Sequence, residues 1–352
     1  MGRALAWVAA SLLCACFSDP GVLPTGTTSA ETGTTTASMT TTTTGATTTT
    51  TGTSSTTDDT ATTLETTTTT TTTGGDEATI CGLPLNAWAI GEVEILAELN
   101  SDSAEANPVL TEDELTLLFT STRDSEQPDL YRASRPAIGE PFEPPVKLDA
   151  LGLNSALRES RALLLDGGLT VYYGSERAGG LGNIDHWVAT RPSLDVPFAD
   201  FVNLTEINTA DGEYDAFLSD DRLRLYYNLS VGSVSTIRVA ERPSLGEPFA
   251  QPELVGGLES ETSFDLSPWL VADERLLFFA SRRTANIDIY VAQRAAVGLP
   301  FDAPAPVAAL NSDANDSEVS LSPSGCEVFF NSERNTTPGK WNLYRATIVA
   351  SP

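Results

Sequence analysis

The sequence predicts an all-β protein, a five-bladed β-propeller of four-stranded antiparallel blades, and three observations carry that prediction. From about residue 99 onward the chain repeats five times at a period of 51 to 54 residues, the mark of one supersecondary unit used again and again. Each unit contains a pair of large apolar residues: Leu118-Phe119, Tyr172-Tyr173, Tyr226-Tyr227, Phe278-Phe279 and Phe329-Phe330. Each opens on a turn marker: Leu99-Asn100-Ser101, Leu153-Asn154-Ser155, Ile207-Asn208-Thr209, Leu258-Glu259-Ser260 and Leu310-Asn311-Ser312. Pro-Phe steps at Phe142, Phe198, Phe249 and Phe301 separate the units.

Composition bounds the function. A net charge of -28 and a pI near 4.2 exclude a phosphate-backbone partner, which requires a cationic stripe, and disfavour anionic lipid headgroups. The bland use of such a surface is solubility. One histidine, His186, leaves no His-rich metal site, and neither a metal nor a cofactor is expected. Serine-hydrolase motifs, phosphate-cradling glycine loops and paired Cys-x-x-Cys motifs are absent from the sequence. The acidic runs 102–113 and 313–316 do not have calcium-loop spacing.

Taken in chain order, residues 1–16 read as an export signal: Arg3, an apolar stretch from Ala4 to Leu13, then small residues. That stretch is too short to span a bilayer. Leu13-Cys14-Ala15-Cys16 resembles the lipobox of bacterial lipoproteins, which implies lipidation of Cys16 and a cell-envelope, outer-membrane address, with the membrane reached only through the lipid. A plain secretory signal cleaved near Ala15 is the alternative. Residues 17–78 are dominated by threonine, with no apolar period, and are expected to form a disordered stalk. Sixty such residues reach roughly 40 Å by random-coil scaling. The propeller is assigned to residues 79–352.

Within each unit the first strand is an apolar stretch such as Ala162–Leu165 or Ala216–Leu218, closed by a turn such as Asp166-Gly167-Gly168 or Ser322-Pro323-Ser324-Gly325. The second carries the large apolar pair, and its adjacent apolar positions predict cover on both faces. The third is Leu130–Ala133, His186–Ala189, Ile237–Ala240, Ile289–Ala292 and Leu343–Ala346. The Pro-Phe step leads to a fourth. These units resemble the TolB-type propeller repeat, a relative of WD-type blades, through Ser322-Pro323-Ser324-Gly325, Ser121-Thr122-Arg123, Ser175-Glu176-Arg177, Ser332-Glu333-Arg334, Asp129-Leu130-Tyr131 and Asp288-Ile289-Tyr290. The resemblance implies a propeller used for binding and no particular ligand.

The fifth unit lacks its Pro-Phe step, whereas residues 87–101 look like a displaced fourth strand. An N-terminal strand is therefore expected to close the last blade. Cys81 and Cys326 remain as an even pair in an exported chain, placed at the starts of two strands that run in one direction. A disulfide there would lock the closure, and two buried free thiols are the alternative.

Aligning the units places an acid at one position in all five: Glu105, Glu159, Glu213, Asp265 and Asp316. Eighteen residues later stand Arg123, Arg177, Arg283 and Arg334 in four of them, which predicts structural salt bridges at one rim. Blade three breaks the rule, since Glu213 faces Val231 and is followed by Tyr214-Asp215. Glu213, Tyr214 and Asp215 are therefore the candidate ligand-binding residues, against repeat drift with a hydrated carboxylate as the plain alternative. Trp187, Trp269 and Trp341 occupy apolar repeat positions and read as packing, as does His186.

Three functions follow. The first is a monomeric, lipid-anchored binding module for an unidentified protein or glycan. The second is a five-bladed glycosidase, which needs two carboxylates about 5 to 9.5 Å apart and could draw on Glu213 and Asp215, two positions apart on one strand. The third is a purely structural role. Neutralisation of four mouth acids by arginine speaks against the second, so no enzymatic activity is expected.

Overall fold

The computed structural model describes residues 78–258 and 264–352. The export signal, Cys16, the threonine-rich stretch and Glu259-Ser260 lie outside the described residues.

Five four-stranded antiparallel sheets follow one another along the chain. From the innermost strand outward, blade one is Glu105–Leu110, Thr116–Ser121, Asp129–Ser134 and Val146–Lys147. Blade two is Glu159–Leu165, Thr170–Ser175, Asp185–Thr190 and Ala199–Asn203. Blade three is Gly212–Leu218, Arg224–Val231, Val234–Glu241 and Glu253–Leu254. Blade four is Asp265–Val271, Leu276–Ser281, Asp288–Gln293 and Ala305–Pro306. Blade five takes Asp316–Leu321, Glu327–Ser332 and Asn342–Ala350 from the C-terminus and Trp88–Ile95 from the N-terminus. The column of acids lies inside the first strands, which begin earlier than the apolar stretches suggest.

The second strands are buried on both faces. Leu277, Phe278, Phe279, Phe329 and Phe330 are all fully buried, because each sheet is covered by a blade on either side. Removing one such phenylalanine side chain costs about 3–5 kcal/mol.

The Leu-Asn-Ser marker has a physical reason at each residue. Its leucine is core: Leu99, Leu153 and Leu310 are buried. Its asparagine pairs with the third strand of the preceding blade through both backbone groups, as when Asn154 Oδ1 accepts from Leu130 N and Nδ2 donates to Leu130 O at 2.7 and 3.1 Å. Asn208 does the same to His186, Asn311 to Ile289 and Asn100 to Leu343. Its Ser or Thr donates to the acid four residues on.

Closure is a shared sheet. Trp88–Ile95 pairs antiparallel with Asn342–Ala350, in a register running from Ala350↔Trp88 to Tyr344↔Ile95. Ahead of it a hairpin joins Thr79–Ile80 to Leu83–Pro84 through Cys81 and Gly82, both at positive φ (51° and 71°), as a two-residue primed turn demands. Ile80 anchors that hairpin in the core, and Cys81 is bonded to Cys326. Among the described residues no helix is long and apolar enough to cross a membrane.

Candidate functional site: the axial channel

The innermost strands line the axis in three successive layers. The first layer is the column of acids. Each is fully or almost fully buried, and Glu105, Glu159, Glu213 and Asp316 are turned back into their own loops. Glu213 Oε1 accepts from Thr209 N and Oγ1 at 3.1 and 2.6 Å, and Glu105, Glu159 and Asp316 hold their serines in the same way.

Arginine reaches the acid in three blades: Arg123 to Glu105 at 3.1 Å, Arg283 to Asp265 at 3.0 Å and Arg334 to Asp316 at 2.6 Å. In blade two it does not. Arg177 donates to Leu153 O, as the other three do to the carbonyl of their own marker residue, but it lies 3.9 Å from the Phe201 ring centroid, so an aromatic face on the outer strand holds the guanidinium and Glu159 has no ion pair among the described residues. In blade three the second and third strands are joined by a tight turn at Gly232-Ser233, and the Ser-x-Arg of the other blades is replaced by Leu229 and Val231. Burial pushes the Glu159 and Glu213 carboxyls up to about 7.

The second layer lies two residues further on: Asn107, Arg161, Asp215, Ser267 and Glu318, all buried. A bulge interrupts the first strand of every blade at this point. Asn107, Asp215, Ser267 and Glu318 take φ values of 52–53° there, a conformation rare for residues with a side chain. The bulge re-aims these side chains toward the axis. Asn107 Nδ2 donates across the channel to Asp215 Oδ1 at 2.8 Å, and Ser267 Oγ donates to Asp215 Oδ2 at 2.7 Å. Asn107 N donates to Glu318 Oε2 at 2.7 Å. Arg161 donates to Pro268 O and Val319 O at 3.3 and 3.5 Å. Burial lowers its pKa, and the charges of Asp215 and Glu318 oppose that shift. This ring stops the channel: the crevice between it and Arg158, Glu159 and Tyr214 encloses about 20 Å³, room for about one water.

The same bulge separates the residues singled out in blade three. Glu213 turns into its loop and Asp215 into the axis, so the two do not share a direction. Tyr214 lies over Gly212, where an added Cβ would fall 2.5 Å from its ring. His186 is buried with its ring edge-on to Tyr227 at 5.2 Å, and burial lowers its pKa to about 3. Trp187 is buried, its indole N–H donating to Ser175 O at 3.2 Å.

The third layer, four residues past the acids, is Val109, Leu163, Phe217, Trp269 and Ser320. Its apolar members form the throat of a cavity of about 640 Å³ that opens on the face where the first strands end. Its lip is made by the first turns of the blades, with Glu112, Asp220, Asp221 and Asp273, and by Thr79–Cys81 of the closing hairpin. At that lip Arg222 pairs with Asp166 at 2.6 Å and Arg224 with Glu274 at 2.6 Å. Asp220 and Asp273 have no ion-pair partner among the described residues. Burial and the charges of Glu274, Asp273 and Asp221 push the Asp220 carboxyl up. The sequence singles out Asp215, as a ligand-binding candidate and not as a member of this ring, and does not single out Asn107, Arg161, Ser267 or Glu318. Extending the alignment two and four residues past the acids would have shown a polar column and an apolar one.

Fold and axis together define a five-bladed propeller with a sealed axis and a one-sided funnel. No family model and no curated protein matches the sequence. Among solved structures, a thermostable family-43 glycoside hydrolase is 13% identical with a TM-score of 0.50, over 73% of this chain and 92% of that one. An α-L-arabinofuranosidase from Lactobacillus brevis is 12% identical with a TM-score of 0.50, over 72% and 92%. A putative TolB from Agrobacterium tumefaciens is 15% identical with a TM-score of 0.45, over 76% and 99%. At these identities the two likenesses at a TM-score of 0.50 bear on the fold alone. They also correct the expectation of a chain without enzymatic activity, because glycoside hydrolases share the architecture. The premise behind that expectation fails as well, since three acids and not four have an arginine ion pair among the described residues, Glu159 joining Glu213 without one. Enzyme status is open.

Proposed function

We propose that this chain is an exported, lipid-anchored binding module that takes a protein partner in the funnel. The observation that carries the reading is the contrast in room along the axis: about 640 Å³ on one side of the polar ring and about 20 Å³ on the other. Ligand sites run to about 300–1,000 Å³, and of these two spaces on the axis the funnel alone reaches that size. A protein is favoured over a small molecule by what surrounds the mouth. Antiparallel alternation puts the third-to-fourth loops on the funnel face, and four of them raise a large apolar side chain: Ile138, Leu194, Leu245 and Leu299, 50–60% exposed. Repeated apolar tips around an apolar throat are the composition of an interaction face. The Cys81–Cys326 disulfide suits an oxidising compartment, and the lipobox resemblance supports the anchor.

The test offers the full chain a peptide-display library and a glycan array, beside the lip variant Leu165→Trp, which narrows the funnel. Peptides retained by the parent and lost by the variant support the reading. Retention unaffected by Leu165→Trp, or sugar released from an arrayed glycan, overturns it.

A further inference from the structure

We infer that the segment received by the funnel is basic as well as apolar: a large aliphatic side chain flanked by lysine or arginine. The inference rests on the reading of the funnel as the ligand site and adds the chemistry of the ligand. Two independent features of the cavity lead to it.

The first is the throat. Val109, Leu163, Phe217 and Trp269 form an apolar collar, with the Phe217 and Trp269 rings edge to face at 5.2 Å. Such a wall gains from an aliphatic group, at about 25 cal/mol per Å² removed from water.

The second is the lip. Five acids stand there, Glu112, Asp220, Asp221, Asp273 and Glu274, and both local arginines are already engaged: Arg222 with Asp166 and Glu112, Arg224 with Glu274 and Asp221. Asp220 and Asp273 therefore present charge that no described cation balances. An anionic or neutral polar segment would bring like charge or nothing to this lip, whereas lysine or arginine supplies the missing partner. The chain's own segment ahead of Thr79 does not fit, because residues 17–78 contain no lysine or arginine. A lipid surface carrying anionic headgroups meets the same repulsion.

The experiment is calorimetric titration of the full chain with three nonapeptides: one of leucine and lysine, one with glutamate for lysine and one with serine for leucine. The leucine–lysine peptide should bind, and both others should fail. Asp220→Asn with Asp273→Asn should weaken binding about tenfold at low salt, as should 0.5 M salt. Glu92→Gln with Glu126→Gln, exposed acids that do not line the cavity, should leave it unchanged and so exclude general attraction to an acidic protein. Thermal melts of each variant confirm folding.

Binding that is abolished by Leu165→Trp but indifferent to the two asparagines overturns the charge inference and leaves the funnel reading standing. Binding indifferent to all of these changes overturns both. Equal binding of the glutamate peptide, or binding to phosphatidylcholine vesicles and to none of the peptides, overturns the inference.

Discussion

Arg161 is the single cation of the polar ring, fully buried between strands that present Asp215 and Glu318. Removing one member of a buried charge network costs about 3–5 kcal/mol, because the remaining charge is left without compensation. Arg161→Met should therefore lower the unfolding free energy by that amount in urea titrations, while Arg158→Met, outside the ring, should change it by less than about 1 kcal/mol. Glu213 makes a different prediction. Its carboxyl titrates near 7 in the folded chain and near the ordinary 4.3 when unfolded, so the folded state holds the proton over that interval. Stability must then fall as pH rises from about 4.5 to about 7 and level off above. Glu213→Gln removes this contribution, and its Tm should change by a few degrees less than the parent's between pH 4.5 and pH 8. An identical pH profile would mean that Glu213 is ionised throughout.

The elements show why the fold could be read in advance and the axis could not. Both-face burial of Leu277–Phe279, the repeated Leu-Asn-Ser marker and the missing fourth strand of unit five are properties of residue type and order, so blade count and closure follow from the sequence. The direction of Asp215 is set by a bulge at one left-handed residue, and strict alternation, the only rule a sequence supplies, sends it alongside Glu213 instead. The failed Glu159–Arg177 pair is of the same kind, because Phe201 on the outer strand draws the guanidinium away. Closure itself is testable. The Cys81–Cys326 bond spans 245 residues, and a loop of that length contributes up to about 5 kcal/mol through the unfolded state. Cys81→Ser with Cys326→Ser should destabilise the chain by up to that figure, and reduction of the parent should give the same loss. If neither treatment moves the melt, the closing sheet holds without the bridge.

At the level of the whole molecule, function turns on two unlike ends of one axis. Toward the face bearing the acids the axis is stopped by the polar ring of Asn107, Arg161, Asp215, Ser267 and Glu318. The other face holds the funnel, its apolar tips and the unbalanced Asp220 and Asp273. Hydrogen exchange of the full chain, with and without the leucine–lysine nonapeptide, separates the two faces directly. Protection should concentrate in residues 110–116, 165–170, 218–224 and 271–276, the first turns of the blades, with little change in residues 122–128 and 176–184 on the opposite face. Protection confined to the opposite loops would contradict the placement of the ligand site in the funnel.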